Sequence, residues 1–196
     1  MMTKAERTKQ FIIETAAPIY NQKGISGTNI DDVLEATKLT KGCLYGHFEN
    51  KEALSLQVVS YMIESNGIAL MALISKEKTA KGKIFAYFDF YKDPLQMHIK
   101  GGCPLMNLAV EADDNFPYIK EKIGETFKQS QNVFVEILKQ GIQDGEFSQD
   151  LQPDIYAFKA QSAIEGAIVI CRCMNTAQPM RGLIKSLKME LTNYSN

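Results

Sequence analysis

Two lysines with possible anion-binding chemistry lie in the segment from Thr40 to Lys51. Lys41 and Lys51 each stand at the predicted start of a helix. The first turn of a helix carries backbone N–H groups that have no acceptor within the helix, and a cationic side chain beside them completes an anion site. Solvated surface lysines are the alternative interpretation, because that is the usual environment of a lysine. The placement of both residues at helix starts favours contact with phosphate.

Two short predicted helices position this segment. Asn29 can cap the first helix, and Thr40 can cap the second. Leu44 and Phe48 are four residues apart, so both would point inward and anchor the second helix. The residues left near its outward or N-terminal side, where a helix-turn-helix meets the major groove, are Thr40, Lys41, Gly42, Cys43, Tyr45 and His47.

The run TKGCLYGHFENKEAL resembles the DNA-binding domain of the TetR family of transcriptional regulators. The resemblance extends from about Arg7 to Leu54, and its most specific part is the combination of Lys41-Gly42, Leu44-Tyr45, His47-Phe48 and Lys51. It implies a DNA-binding surface that faces double-stranded operator DNA. The candidate DNA-binding residues are Thr28, Asn29, Thr40, Lys41, Gly42, Cys43, Tyr45, His47 and Lys51.

Two residues depart from the family pattern. Lys38 stands where the family usually has glycine, and a side chain in a left-handed turn costs on the order of 1 kcal/mol. Gly46 stands where a larger side chain is common, which predicts the loss of one contact. Tyr45 and His47 match positions that often touch phosphates in the family, although half-buried packing is the alternative. Cys43 is interpreted as a small residue that fits the groove, with a redox switch as the alternative.

The helical patterns predict an all-α fold. The resemblance implies two domains: a three-helix, helix-turn-helix DNA-binding domain at residues 1–49 and a helical effector-binding and dimerisation domain at residues 50–196. The first helix should run from Ala5 to Lys23, bend near Glu14 because of Pro18, and stop at Gly24. Later helices are predicted over residues 50–76, 104–114, 117–141, 153–175 and 180–191. The aromatic segment 82–97 favours a helix, with a broken strand as the alternative.

The resemblance also implies a pocket for an unknown small-molecule effector in the second domain. The segment GCPLMNLAVE is similar to one found in a subset of the family. The candidate pocket residues are Met62, Phe88, Tyr91, Leu105, Met106, Phe127, Phe134, Gln161 and Glu165. An ordinary hydrophobic core is the alternative for the apolar members. Gln161 and Glu165 need polar partners if they are buried, either in the core or on an effector.

The helix that begins at Pro153 is apolar nearly all round, which predicts burial on more than one side. By resemblance, and because of this excess apolar surface, the last two helices should form a four-helix bundle with those of a second copy. We therefore expect a homodimer.

Other classes of site have no support in the sequence. The only histidines, His47 and His98, have no Ser, Cys or Asp arranged near them in a known catalytic motif, so we expect no enzymatic activity. Cys171 and Cys173 would point about 200° apart on a helix and could not share a metal ion. We expect no metal and no cofactor.

Charge and hydropathy restrict the class of protein further. The net charge of -1 argues against a protein that coats nucleic acid but allows a small DNA-reading surface. No apolar run approaches the roughly 20 residues of a membrane span, and the polar start is unlike a signal peptide. We therefore expect a cytoplasmic protein with reduced cysteines and no membrane contact.

The resemblance thus implies a DNA-binding transcriptional regulator, by default a repressor that an effector releases from a palindromic operator. The alternative is a helical small-molecule or lipid-binding protein that does not bind DNA. A catalytic function would need groups that the chain does not supply.

Overall fold

The structure, a computed structural model, describes residues 2–195 and has nine helices in that range. They are α1 (Lys4–Gly27), α2 (Ile30–Thr37), α3 (Lys41–Tyr45), α4 (Lys51–Ile74), α5 (Ala80–Phe90), α6 (Pro104–Asn115), α7 (Pro117–Gln143), α8 (Pro153–Cys173) and α9 (Gln178–Asn193). Between positions 2 and 195 the only β pairing is an isolated bridge of Phe147 with Ser195. The all-α prediction is confirmed.

The first helix breaks at Gly24, its predicted stop, and not at the bend predicted near Glu14. Thr3 caps α1, since its hydroxyl accepts from Glu6 N at 3.2 Å while its own N–H donates to the Glu6 carboxylate at 2.7 Å. The interruption of helical backbone angles within α1 is at Gly24 (φ 76°, ψ 176°), and not near Glu14. Pro18 fixes a φ that a helix accepts, whereas Gly24 adopts a positive φ that would strain other residues.

The aromatic segment predicted over residues 82–97 forms a helix up to Phe90 and not a broken strand. Thr79 caps α5 by accepting from Gly82 N at 3.0 Å, and the helix ends at Phe90, well before the predicted end at Met97. Pro94 lies in the connection that follows. The next helix starts with Pro104 at its first position, as expected from the sequence.

Contact density divides the chain into two compact units. Unit 1 comprises residues 2–66 and 99–123, and unit 2 comprises residues 67–98 and 124–195. Unit 1 therefore contains α6 and the first part of α4 in addition to the three N-terminal helices. The predicted boundary between residues 49 and 50 separates two domains by their function. The two units are defined by contacts and do not test it, so it stays a prediction.

Helix α4 has the length and hydropathy of a membrane span, contrary to the expectation from the sequence that no segment approaches one. Within unit 1 its side chains at Leu54, Val58 and Met62 are fully buried. The apolar composition of this part of α4 is therefore used in packing against the rest of unit 1.

Candidate nucleic-acid interface

Helix α2 is held against α1 by an acidic side chain in its first turn. Asp32 accepts hydrogen bonds from Asn29 N at 2.9 Å and from Lys23 Nζ at 2.6 Å. These bonds, the one from Lys23 first, lower the pKa of the Asp32 carboxyl. Asn29 is the N-cap residue, as predicted, and its side chain is exposed.

The turn after α2 requires a left-handed residue, which is Lys38 (φ 58°, ψ 24°). Its N–H donates to Leu34 O at 2.9 Å and closes the last turn of α2. The Thr37 hydroxyl donates to Val33 O at 2.7 Å. The prediction that Lys38 occupies a position suited to glycine is confirmed.

Helix α3 is short, and two apolar residues anchor its segment: Leu44 within the helix and Phe48 just beyond its end at Tyr45. The Thr40 hydroxyl accepts from Cys43 N at 3.2 Å and caps the helix. Leu44 and Phe48 are both buried, as their spacing predicted. Because these anchors face inward, the polar residues of the same segment remain accessible.

Eight of the nine candidate DNA-binding residues have accessible side chains or backbone. Asn29, Thr40, Lys41, Gly42 and Tyr45 are exposed, and Cys43, His47 and Lys51 are half-buried. Lys41 and Lys51 begin α3 and α4, so both lie at helix starts as predicted. A Cβ at Gly42 would meet no atom within 4 Å. The space around Gly42 is thus open toward solvent.

Thr28 is the exception, and its assignment as an accessible DNA-binding residue is wrong. Its side chain has 0% exposure, and its hydroxyl donates to Gly24 O at 2.6 Å. The residue closes the connection between α1 and α2, where packing removes it from the surface. Thr28 therefore supports the fold of the helix-turn-helix, and its side chain is not accessible for contact with DNA.

An amide clasp holds the end of α1 in unit 1. The Asn21 side chain donates to the carbonyl oxygens of Lys100 and Gly102 at 3.2 and 3.1 Å. The Asn107 side chain donates to Asn21 O and to Gly101 O, each at 3.0 Å. Gly101 has φ 127°, and a Cβ there would lie 2.8 Å from Asn21 O. Only glycine allows the two segments to approach this closely.

A carboxylate from α6 completes the hold on α1. Glu111 accepts from Ile25 N and from Ser26 N, each at 2.7 Å. A Cβ at Gly24 would lie 2.6 Å from the same carboxylate. Glu111 thus binds two backbone donors that the break at Gly24 releases from the helix. Sequence reasoning assigned no role to Asn21, Asn107 or Glu111, although the latter two lie in the segment GCPLMNLAVE.

The nine candidate effector residues fall in both units. In unit 1, Met62 is fully buried, and Leu105 and Met106 are half-buried. In unit 2, Phe88, Tyr91 and Phe134 are buried, Phe127 is half-buried, and Glu165 has 8% exposure. The half-buried Gln161 donates to the Ser130 hydroxyl at 3.2 Å. Contact of these residues with an effector stays a prediction.

An aromatic cluster in unit 2 contains three of the candidate residues. The rings of Phe88 and Phe134 are 6.0 Å apart, and Tyr87 lies 5.0 Å from Phe134 and 5.3 Å from Tyr91. Tyr156 joins them at 6.3 Å from Phe134. Burial raises the pKa of the Tyr156 hydroxyl, which donates to Leu187 O at 2.7 Å. Tyr87 and Tyr156 are not among the candidate effector residues expected from the sequence.

Two families match most of the chain. The family described as bacterial regulatory proteins of the tetR family matches residues 12–58, and the tetracyclin repressor-like C-terminal domain matches residues 80–187. Together these ranges include every candidate DNA-binding residue and all of the candidate effector residues except Met62.

Solved structures and a named repressor agree with these matches. A TetR-family regulator from Cytophaga hutchinsonii is 36% identical, with a TM-score of 0.90 over 100% of this chain and 98% of that chain. A TetR regulator from Chloroflexus aurantiacus J-10-FL is 29% identical, with a TM-score of 0.93 over 99% and 98%. The HTH-type transcriptional repressor DhaR of Mycobacterium sp. (strain GP1) is 22% identical over 172 residues, 88% of this chain and 86% of the relative.

Proposed function

The chain belongs to the TetR family of DNA-binding transcriptional regulators, and from that premise we propose that it is a homodimeric repressor that a small-molecule effector releases from a palindromic operator. The observation that carries the proposal is the accessible N-terminal half of α3. It begins with Lys41, is held by buried Leu44 and Phe48, and is followed by Lys51 at the start of α4. Such a helix presents side chains and backbone donors to the major groove.

The accessible residues divide into two kinds of contact. Lys41, Lys51, Tyr45 and His47 carry cationic or hydrogen-bonding groups suited to phosphate oxygens. Lys41 and Cys43 lie on the first turn of α3, with Thr40 and Gly42 beside them, and are the candidates for contact with base edges. Asn29, exposed at the start of α2, adds a further polar contact.

Dimerisation is supported by an exposed apolar face in unit 2. Ile155, Phe158, Val169 and Ile170 lie on one side of α8 and are each at least 45% exposed in the single chain. The opposite side of α8 is buried, with Ile164 and Ile168 at 1% exposure. An apolar surface of this kind favours a two-fold interface with the same helices of a second copy. The two α3 helices would then read half-sites roughly 34 Å, or a multiple of it, apart.

Release by an effector follows from population shift. An effector that binds the DNA-incompetent conformation better must lower operator affinity in proportion to that difference. The hydrogen bonds of Asn107 and Glu111 join α6 to the residues just before α2. They support α6 as one of the helices that transmit effector binding to the DNA-binding domain. In this proposal, residues 1–49 bind DNA, and residues 50–196 bind the effector and form the dimer. A regulator of this kind would act in the cytoplasm.

Replacing Lys51 with alanine tests the DNA interface. We expect Lys51→Ala to weaken binding to all duplexes about equally and to lower the slope of log K against log salt by roughly 0.9, as for one lost phosphate contact. The measurement is fluorescence anisotropy over a salt series. The control is Lys128→Ala, an exposed lysine on α7 in unit 2. An effect confined to one base position would contradict the assignment.

Replacing Cys43 tests the reading of bases. We expect Cys43→Ser to change the sequences selected from a random duplex library while leaving the melting temperature nearly unchanged, because the Cys43 side chain is only half-buried. Sequencing of genomic fragments retained by the purified wild-type protein gives the reference operator. A strong loss of stability with an unchanged operator would show that Cys43 is a core residue and does not contact bases. A wild-type protein that retains no fragment would favour a carrier that does not bind DNA.

A further inference from the structure

Unit 1 contains a cavity that none of the candidate effector residues lines. Its volume is about 600 Å³, which lies in the range of small-molecule sites, roughly 300–1,000 Å³. Its apolar wall comes from the end of α1, from α4 and from the junction of α6 with α7: Ile25, Leu56, Phe116, Pro117, Tyr118 and Ile119. Ile25 and Ile119 are buried, so they form a fixed apolar floor for a ligand.

Lys51 contributes a positive charge to this cavity. Its ammonium makes no ion pair within the part of the chain that the structure describes. The neighbouring hydroxyl of Ser55 is already engaged, since it donates to Lys51 O at 2.8 Å and lies 3.0 Å from the Tyr20 hydroxyl. Glu52, the other charged residue of the lining, is more exposed than Lys51. The half-buried lysine is therefore the group that an anionic ligand would meet against the apolar wall.

We propose that this cavity binds a small molecule with an apolar body and one carboxylate, and that the carboxylate pairs with Lys51. The apolar wall buries the body of the ligand, and the lysine selects the acid over an uncharged analogue. Binding in the cavity does not depend on any DNA contact of the protein.

Because of the position of the cavity, a bound ligand should lower the affinity for DNA. This part of the inference rests on the proposed function. Lys51 is also the proposed phosphate contact, so a bound carboxylate competes with DNA for one ammonium group. The ligand would also contact Ile25 and Ser26, whose N–H groups donate hydrogen bonds to the Glu111 carboxylate. Occupancy is expected to lower affinity for every duplex, whatever its sequence.

A tryptophan reporter tests the cavity directly. The chain contains no tryptophan, so Tyr118→Trp places a single reporter in the lining, where Tyr118 is 67% exposed. The probe is octanoate, titrated in the absence of DNA. We expect a saturable change in tryptophan fluorescence. The matched control is Val110→Trp, which puts the reporter on an exposed site of α6 outside the lining and should show no saturable change.

The role of Lys51 is tested in the same reporter protein. Lys51→Met should weaken octanoate roughly tenfold, as for the loss of one charge-assisted hydrogen bond, and leave octanol binding unchanged. Lys128→Met, outside the cavity, should change neither ligand. Unchanged octanol binding also shows that the variant keeps the cavity intact. A reporter that does not respond to octanoate, or equal affinities for octanoate and octanol, would overturn the proposal.

A final measurement separates this site from the proposed function. Saturating octanoate should lower the affinity of the wild-type protein for a duplex of arbitrary sequence, and Lys51→Met should remove most of that effect. Octanoate binding without any effect on DNA would overturn the competition at Lys51. A protein that binds octanoate in the cavity but no duplex would instead overturn the proposed function and leave the cavity site standing.

Discussion

The end of α1 in unit 1 and the centre of unit 2 are held by different kinds of interaction. The end of α1 in unit 1 is fixed by polar groups: the Asn21 and Asn107 amides, the Glu111 carboxylate and the ion pair of Lys23 with Asp32. The centre of unit 2 is an aromatic cluster around Phe134. The outer side of α8 adds exposed apolar residues.

This difference corresponds to what each unit has to do. Hydrogen bonds depend steeply on distance and angle, so the polar clasp defines the position of α1 before the DNA-reading helices. Burial of apolar surface is non-directional and is roughly proportional to area, so it supplies more free energy with less geometric restriction. The centre of unit 2 should therefore be most sensitive to buried charge, and the end of α1 to the loss of single polar groups.

The largest effect is expected from a buried charge on α8. Ile168 has 1% exposure and Val169 has 45%, although they are adjacent. Ile168→Glu should lower the free energy of unfolding by several kcal/mol, because the carboxylate has no partner in the core. Val169→Glu should leave the subunit folded but weaken the dimer. Chemical denaturation and light scattering measure the two effects.

The pair of variants also tests the proposed dimer interface. A folded monomer carrying Val169→Glu should lose specific operator binding and keep weak non-specific binding. If the wild-type protein scattered as a monomer at micromolar concentration and still bound a palindrome tightly, the exposed face of α8 would need another explanation.

A smaller effect is expected from removing one carboxylate in unit 1. Glu111→Ala leaves the N–H groups of Ile25 and Ser26 without their acceptor and should cost about 2 kcal/mol of unfolding free energy. Glu111→Gln keeps one acceptor oxygen and should cost less. Glu125→Ala, at an exposed site of α7, is the control in urea denaturation. A loss of unfolding free energy no larger than that of the control would show that water replaces the carboxylate. The hydrogen bonds of Glu111 would then contribute little to stability.

How much the sequence could predict depends on the range of the interaction. The helix-turn-helix was predictable because its determinants are local: the Thr40 cap, the spacing of Leu44 and Phe48, and the left-handed Lys38 all lie within one short segment. The pattern of α8 likewise predicted excess apolar surface, although not which side is exposed.

The features that were missed depend on residues far apart in the chain. Asn21 and Asn107 are 86 residues apart, and neither has a local pattern that predicts an amide clasp. The cavity beside Lys51 combines residues from α1, α4, α6 and α7, so no single segment predicts it. Thr28 is among the candidate DNA-binding residues that the resemblance implies, but its burial is set by packing at the connection between α1 and α2.

The backbone of the turn gives a further test, with two variants of opposite sign. Lys38 has φ 58°, a region that costs a residue with a Cβ roughly 1–2 kcal/mol. Lys38→Gly removes that strain but adds freedom to the unfolded chain, so it should stabilise by only about 0.5 kcal/mol. Lys38→Val should destabilise by more than about 1 kcal/mol, because a β-branched residue tolerates this region poorly. Equal stabilities of the two variants would show that the turn relaxes to another conformation.

The smallest effect is expected from the exposed ion pair of unit 1. The hydrogen bonds from Lys23 and from Asn29 N–H lower the pKa of Asp32 below its ordinary value of 3.8. A carboxyl with a lowered pKa in the folded state stabilises the fold fully above its unfolded value, and this contribution is lost as the pH falls from 3.8 toward the folded-state pKa.

Asp32→Asn should therefore shift the urea midpoint slightly at neutral pH, and the difference from the wild type should shrink as the pH falls below 3.8. High salt should also reduce it, because the pair is accessible to solvent. Asp31→Asn removes a charge from the same helical turn without touching Lys23, and so controls for general charge effects. A difference that stays constant across that pH range would mean that Asp32 acts through its shape and its hydrogen bond to Asn29 N–H, and that its charge adds nothing to the hold on α2.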